Sequence, residues 1–449
     1  MVSGQMTLRR HTHTPGGGSS WPVSGGIPGR GVHMLYLFNT MSGRKELFEP
    51  REQGIVRMFS CGPSIYRQPH VGNYRSFLWQ DLLQRYLEYL GYRVERVLNL
   101  TDVEDKAIEE AEKEGIGVLE LTERVSRKFF EDARLLRIKL PEKIPRSSTS
   151  VDQAVRLIEI LMEKGYAYRH GQDIFFDPLK FEGFGKLFKL DMSRWPRGKR
   201  RFRRDTYVGR RWNLGDFILW HGFREGDKLT WDTAIGRGRP SWNIQDPAMI
   251  TETLGYAIDI SCGGVDNLHR HHDYNIAVIE AISGMEFSRF WIHGEHLLVA
   301  GKKMSKSLGN ILYPSDFLKD GYDGRRLRFY LLYGHHRKRL NVVPSRVAQA
   351  SEKLDALAEL ALQIASNESR AERVAPVQND GFGLAAELTR RFKEHMDDDL
   401  DVRGAFDAVF ETVKKTAGLH AQGRLDDGER RKVLKGLQEI DSVLQVIFK

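Results

Sequence analysis

Apolar positions along this 449-residue chain change period several times, and each change marks an element. Ile55 to Ser60 reads as a buried strand. A loop follows. Phe77, Leu78, Leu82, Leu83, Tyr86 and Leu90 then recur at helical spacing, which predicts an amphipathic helix from about Tyr74 to Leu90, stopped by Gly91. Val94 to Leu100 predicts the next strand. Strand, helix, strand over this length is a right-handed crossover unit of a parallel sheet. Helical periodicity continues to about Arg137 and resumes from Val151 to Lys164. Asp173–Phe176, Asp216–Trp220 and His296–Val299 predict further strands. Phe406, Val409, Phe410 and Val413, then Leu434, Leu437, Ile440, Leu444 and Ile447, keep helical spacing and predict a helix bundle. Residues 1–33 are dominated by Gly, Ser, Thr, His, Pro and Arg. They hold too little apolar content to pack and are predicted to be disordered, so His11 and His13 read as tail residues before metal ligands. No internal repeat is visible.

Composition narrows the class. Hydrophobic residues are 41% and charged residues 29%, an ordinary soluble balance, and the length allows two to four domains. No apolar run is long enough to span a bilayer, and the first residues lack the apolar core of a secretory signal. No membrane partner is expected. The chain has two cysteines, Cys61 and Cys262, which argues against a disulfide framework and fits the cytoplasm. The net charge of +9 suits a polyanion such as RNA or ATP, and equally a merely basic surface.

The chemistry concentrates in four stretches. Ala300 to Asn310 is a loop rich in glycine and serine with Lys303 and Lys306 three apart, following the apolar run His296–Val299. Such a loop can close over polyphosphate, because ammonium groups meet phosphate charge and glycine lets the backbone move aside. A lone Lys-x-x-Lys would fit an exposed turn as well. Pro69-His70-Val71-Gly72-Asn73 lies between the first strand and its helix, and a helix N-terminus there is a ready anion site. Gly72 leaves space for a base or ribose, and His70 can donate to phosphate oxygens as charge develops on them. Gly263-Gly264 with Asp266 suits adenosine, through close backbone approach and a carboxylate for ribose hydroxyls. Arg194 to Arg211 holds nine Arg or Lys residues against one acid, Asp205, with Trp195, Phe202 and Tyr207 interleaved. Cations with aromatics suit single-stranded nucleic acid such as a tRNA acceptor end, and a solvated basic loop has the same composition.

Lys303 to Ser307 spells KMSKS, the second ATP motif of class I aminoacyl-tRNA synthetases, and Leu-Gly-Asn follows as in the cysteinyl branch. Pro69–Asn73 matches the HIGH motif with Asn73 in place of its second His. Met34-Leu-Tyr-Leu-Phe-Asn-Thr resembles the start of cysteinyl-tRNA synthetases, so translation from Met34 stands beside translation from Met1. Asn99 to Lys106 and Asp323 to Asn341 resemble further family segments. From Met34 to Lys449 the chain resembles a cysteinyl-tRNA synthetase almost collinearly. The resemblance implies an α/β fold: a Rossmann-like class I synthetase catalytic domain with an inserted connective domain, followed by an all-α helix bundle. Its implied divisions are a tail at 1–33, the two halves of the nucleotide fold at 34–145 and 236–297, the insertion at 146–235, the KMSKS loop and linker at 298–345, and the bundle at 346–449. The implied chemistry joins an amino acid to ATP as an aminoacyl-adenylate, with Mg2+, and passes the acyl group to the terminal ribose of tRNA. By matched position, His70 and Asn73 stabilise the phosphates, and Lys303 and Lys306 clamp the departing pyrophosphate. Gly72, Gly263, Gly264 and Asp266 hold ATP. Cys61, Tyr66, Thr101, Trp242 and Asp246 line the amino-acid pocket.

Two departures stand out. The family resembles itself in a pocket zinc held by Cys, Cys, His and Glu, which binds the substrate thiolate. Cys61 and His271 match two of these positions, but Asp246 stands for the second Cys and Asn275 for the Glu. Asn is a poor zinc ligand, so the residual set is Cys61, Asp246 and His271, with Zn2+ open. Cys262 is expected to be a buried small residue. Without zinc, Asp246 is a buried charge that calls for a cationic or hydrogen-bonding partner. The small anticodon-binding domain that usually follows the bundle is also expected to be missing, as in the cysteine ligase of mycothiol synthesis, which acylates an amino sugar. The expected activity is therefore a class I ligase with an altered amino-acid pocket, acting on tRNA or a small amine. A genuine cysteine–tRNA ligase is one alternative. A non-catalytic RNA- or protein-binding paralogue is the other, and the intact KMSKS speaks against it.

Overall fold

The first strands pair as an antiparallel ribbon, β1 (Tyr36–Asn39) with β2 (Arg44–Leu47). The computed structural model describes residues 34–204, 214–268, 270–366 and 383–448, and every described strand and helix belongs to one unit, Leu35–Lys449. His11, His13, Tyr207, Arg210, Arg211 and the side chain of Lys306 lie outside the described residues. β3 (Ile55–Ser60), α1 (Val71–Tyr89) and β4 (Arg93–Leu98) form the crossover unit that periodicity predicts, with β3 and β4 parallel. α2 (Asp105–Glu114) and α3 (Val118–Leu135) follow. The apolar period runs straight through both, but Gly115 adopts φ +69° and ends the first helix in the left-handed conformation that glycine takes most cheaply.

Within the stretch read as the insertion lie α4 (Val151–Glu163), β5 (Ala167–His170), β6 (Asp173–Phe176), β7 (Arg201–Phe202) and β8 (Asp216–Gly222), and β9 (Gly238–Pro240), just beyond that stretch, pairs with β8. These strands make a second sheet in the order β5-β6-β8-β7, with β9 on β8. Part of the basic stretch is consumed here. Trp195 is buried with its ring edge-on to Phe184, and Lys199 lies over the Tyr168 ring and pairs with Asp216 at 3.3 Å. These two side chains fix the insertion; they are no stacking platform for bases.

The chain then returns to the first sheet through α5 (Trp242–Thr253), β10 (Ile258–Gly264), α6 (Val265–Leu268), α7 (His271–Ser283) and β11 (Ser288–Gly294). The four parallel strands stand in the order β11-β10-β3-β4. β3 leads away to one side and β10 to the other, so the chain leaves a crevice beyond the carboxyl ends of these two central strands, where α/β folds bind ligands. β12 (Leu297–Val299), β13 (Lys302–Lys303), α8 (Pro314–Lys319), α9 (Gly324–Leu332) and β14 (Leu340–Val342) link this sheet to α10 (Pro344–Ala365), α11 (Leu384–Met396), α12 (Val402–Ala421) and α13 (Asp427–Leu444).

α1 is buried on nearly every side, not along one stripe. The sheet covers one face while α9 and α13 cover another. Its polar residues must therefore find partners inside the protein. Asp81 meets Arg328 Nη2 at 2.6 Å, and neither side chain is exposed. The same guanidinium donates to the carbonyls of Leu136, Arg137 and Leu444. A cation thus sits on the C-terminal carbonyls of α3 and α13, where the helix dipole favours positive charge.

Candidate active site

The loop after β3 and the start of α1 are welded by His70. As N-cap it is extended, with φ −90° and ψ 169°. Its Nδ1 accepts from the backbone N–H of Gly72 at 3.1 Å and of Asn73 at 3.3 Å. Asn73 Oδ1 in turn accepts from the His70 N–H at 3.0 Å, completing a capping box. This is why the helix opens at Val71, three residues before its apolar period does. The cap also sets the chemistry. An accepting Nδ1 leaves the proton on Nε2, so the ring is a neutral donor. Burial, and then the charge of Lys303, hold the imidazole below its ordinary pKa and keep it so. Asn73 Oδ1 is taken by the cap, which leaves its amide N–H2 as the group for phosphate oxygens.

The lysine loop lies across this turn. Asn310 ties its two ends: Oδ1 accepts from Ser305 N at 2.9 Å, and Nδ2 donates to the Lys303 carbonyl at 3.2 Å. Met304 drops from the loop onto Gly72. A Cβ built at Gly72 would stand 2.7 Å from Met304 Cε and 3.0 Å from the His70 ring. The space that the sequence assigns to base or ribose at this glycine is therefore filled by a methionine of the loop. Gly72→Ala is expected to slow the reaction several-fold, the effect of about 1 kcal/mol of overpacking against a flexible side chain. Met304→Ala in the same chain should restore the rate. A double variant no faster than the single would disprove the contact.

Beyond β10, Gly264 lines the same space, whereas Gly263 faces the other way, and a Cβ there would lie 2.8 Å from His272. Asp266 accepts from His296 Nε2 at 3.1 Å and from Lys303 Nζ at 3.4 Å. Burial opposes its ionisation, but His296 and Lys303 outweigh it and hold the carboxyl below its ordinary range. His70, Gly72, Asn73, Gly264, Asp266 and Lys303 all line one cavity of about 470 Å³, and so do Cys61, Tyr66, Thr101, Trp242 and His271. Sequences some 230 residues apart meet there because β3 and β10 are neighbours.

At the other end of the cavity, Trp242 stacks on His271 with ring centroids 3.8 Å apart. Asp246 lies behind this wall, fully buried, and it has found the partners its charge demands. Asn99 Nδ2 donates to Oδ1 at 2.7 Å, and His271 Nε2 stands 2.7 Å from Oδ2. Cys61 Sγ is 3.9 Å from the same oxygen and accepts from Asn267 Nδ2 at 3.1 Å. Burial first, and Asp246 second, push the Cys61 thiol well above its ordinary pKa. Cys262 is core, outside this group.

The donor atoms of Cys61, Asp246 and His271 lie within 4.8 Å of one another. Sulfur, carboxylate oxygen and imidazole nitrogen are the donors zinc takes, so these three residues fit the ion, with a position open where Cys61 and His271 meet the cavity. Asn275, at the fourth position, is fully buried, and among the described residues neither of its amide atoms has a hydrogen-bond partner.

His296, Asn267 and Lys106 escaped sequence reasoning. Lys106 lines the cavity near the Tyr66 ring, 5.4 Å from its centroid. No periodicity marks such residues; each becomes a site residue through the neighbour that the fold supplies.

A family described as tRNA synthetases class I (C) catalytic domain matches residues 47–352. The cysteine–tRNA ligase of Chlamydia pneumoniae is 36% identical over 421 residues, covering 93% of this chain and 87% of that protein. That of Leptospira interrogans serovar Lai is 35% identical over 421 residues, covering 92% and 87%. Among solved structures, methionyl-tRNA synthetase of Mycobacterium tuberculosis bound by methionyl-adenylate aligns with a TM-score of 0.62 at 14% identity, over 88% of this chain and 90% of that one. A leucyl-tRNA synthetase complex from Agrobacterium radiobacter K84 aligns with a TM-score of 0.59 at 11% identity, over 89% and 85%.

Proposed function

The chain belongs to the cysteinyl-tRNA synthetase family of class I ligases, and from that premise we propose that it activates an amino acid as an adenylate and transfers the acyl group to an acceptor. One observation carries this reading: the turn of His70 and the loop of Lys303 line one cavity whose far end is formed by Cys61, Thr101 and the Trp242–His271 stack. The amino-acid carboxylate attacks the α-phosphorus of ATP, which brings Mg2+ with it. The new O–P bond forms as the bond to pyrophosphate breaks. His70 Nε2–H and the Asn73 amide donate to phosphate oxygens as negative charge shifts toward the leaving group. Lys303, with Lys306 of the same motif, takes the charge of the departing pyrophosphate. Asp266 accepts from the ribose hydroxyls once ATP displaces Lys303 from it.

The amino acid is one other than cysteine. Asp246 is satisfied by Asn99 and His271, so the protein needs no metal to bury it. What faces the cavity is a neutral Cys61 thiol, Thr101 and the Trp242–His271 stack. That end suits a short uncharged side chain, whereas a thiolate would feel the negative charge of Asp246. The convergence of Cys61, Asp246 and His271 favours a second reading, a cysteine–tRNA ligase. In that case these residues would hold zinc, which when bound supplies a soft cation for the substrate thiolate.

Pyrophosphate exchange run across all amino acids, together with metal analysis of the purified protein, separates the two. The expected result is exchange driven by a small neutral amino acid, weak exchange with cysteine, and no stoichiometric zinc. Stoichiometric zinc with strong preference for cysteine would establish the second reading. No exchange with any amino acid would remove both.

A further inference from the structure

Arg75 stands one turn into α1, just past the cap that His70 sets, and it is only 3% exposed. A guanidinium buried this deeply costs free energy unless its donors are met. Burial pushes its pKa down to about 10, and the charge of Glu295 only partly opposes this. The oxygens that meet it are carbonyls, and they come from two separate segments. Nη1 donates to the carbonyls of Glu295 and, at 3.4 Å, of His296. Nη2 donates to those of His335 at 3.0 Å and Lys338 at 2.6 Å. Glu295 and His296 lead into β12, and His335 and Lys338 lead into β14.

These two strands carry the lysine loop. β12 pairs in parallel with β14 on one side and antiparallel with β13, the strand of Lys303, on the other. The fork of Arg75 therefore grips β12 and β14 at their common root. A planar group with donors on two branches can span both segments, whereas a point charge reaches one at a time. Trp79, one turn further along the same face of α1, repeats the grip. Its ring stacks on His336 with centroids 5.3 Å apart, and a Cβ at Gly294 would stand 2.3 Å from its Nε1. The far end of the loop is tied to the same helix, since the Val71 N–H donates to the Leu312 carbonyl at 2.9 Å. His296 joins the mount to the site: Arg75 holds its carbonyl while its ring pairs with Asp266. Glu295 and His296 line the cavity, and Arg75 stands behind them.

We propose that Arg75 is a positioning residue for adenylate formation: it mounts the lysine loop on the helix that His70 opens, so that the two sets of phosphate donors move as one body. This rests on the adenylate reading above. Arg75 acts through Lys303 and His296, and the amino-acid end of the cavity is built without it, because Cys61, Thr101, Trp242 and His271 stand on other elements.

The test replaces Arg75 by Met, which keeps an apolar stem and removes the fork, and by Lys, which keeps the charge. In pyrophosphate exchange, Arg75→Met is expected to lower kcat about 10²-fold, the scale of a small misplacement of reacting groups, with the KM for the amino acid unchanged. Arg75→Lys is expected to recover about tenfold of that loss. A second readout needs no activity. Trypsin cleavage after the exposed Lys302 and Lys303 is expected to quicken about tenfold in Arg75→Met, as the loop opens locally while circular dichroism shows the chain folded. Asp81→Ala is the comparison, since it destabilises the same helix and leaves the mount in place. Loop cleavage that rises no more in Arg75→Met than in Asp81→Ala overturns the proposal. So does a loss of exchange that Asp81→Ala reproduces, or one that comes with a raised KM for the amino acid. Absence of exchange in the unmodified protein removes the adenylate reading, and the cleavage ratio alone then decides whether Arg75 mounts the loop.

Discussion

His70→Ala slows amino-acid-dependent pyrophosphate exchange by about 10²–10³, the usual effect of removing one donor aimed at developing charge. The same change also strips the N-cap of α1, which costs about 1 kcal/mol of stability. The two effects separate in His70→Asn. Asparagine caps a helix as well as any residue, so the start of α1 survives and the melting temperature stays near that of the unmodified protein. Its short amide does not replace the imidazole Nε2–H, and exchange remains lost. An Asn variant with near-normal exchange would show that His70 acts only as a cap. An Ala variant with near-normal exchange would remove it from the chemistry altogether.

Asp81→Ala destabilises the protein by about 3–5 kcal/mol, the range for breaking a buried ion pair from one side. The loss comes less from the missing attraction than from Arg328, whose guanidinium is left buried with only carbonyls around it. Burial already lowers its pKa, which shows how poorly the site tolerates an uncompensated charge. Replacing both partners, in Asp81→Ala with Arg328→Met, is expected to recover part of the loss, because no charge is then stranded. Thermal and denaturant unfolding of the three proteins measures this. A single variant as stable as the parent, or a double variant worse than the single, would contradict it.

The parallel sheet and the helical C-terminal region were legible in the sequence because their signals are local. β3, α1 and β4 announce themselves by period, and KMSKS by spelling. The limits of α1 were not, since its first turn is set by reciprocal hydrogen bonds between His70 and Asn73 and not by apolar spacing. The packing of α1 was hidden for a related reason: Asp81 and Arg75 look like a solvent face until α9 and the turn before β14 fold over them. The basic stretch misled in part. Trp195 and Lys199 have the residue types of a nucleic-acid platform, yet Phe184, Tyr168 and Asp216 claim them for the interior of the insertion. At the pocket, the sequence foretold that Asp246 would need a partner. Which partner it takes depends on Asn99 and His271, 172 residues apart in the chain, meeting behind one wall.

The hub at Arg328 also orders events in time. Asp81 is synthesised early, in the helix that carries His70; one of its oxygens meets Arg85 a turn further on, and the other waits until Arg328 is made. Arg328 in turn lacks one of its carbonyl partners until Leu444 emerges, more than a hundred residues later. A nascent chain can therefore complete its central sheet, at Gly294, before the second oxygen of Asp81 meets its cation. During synthesis the helix that carries His70 keeps one face open, and the last helix is the one that covers it.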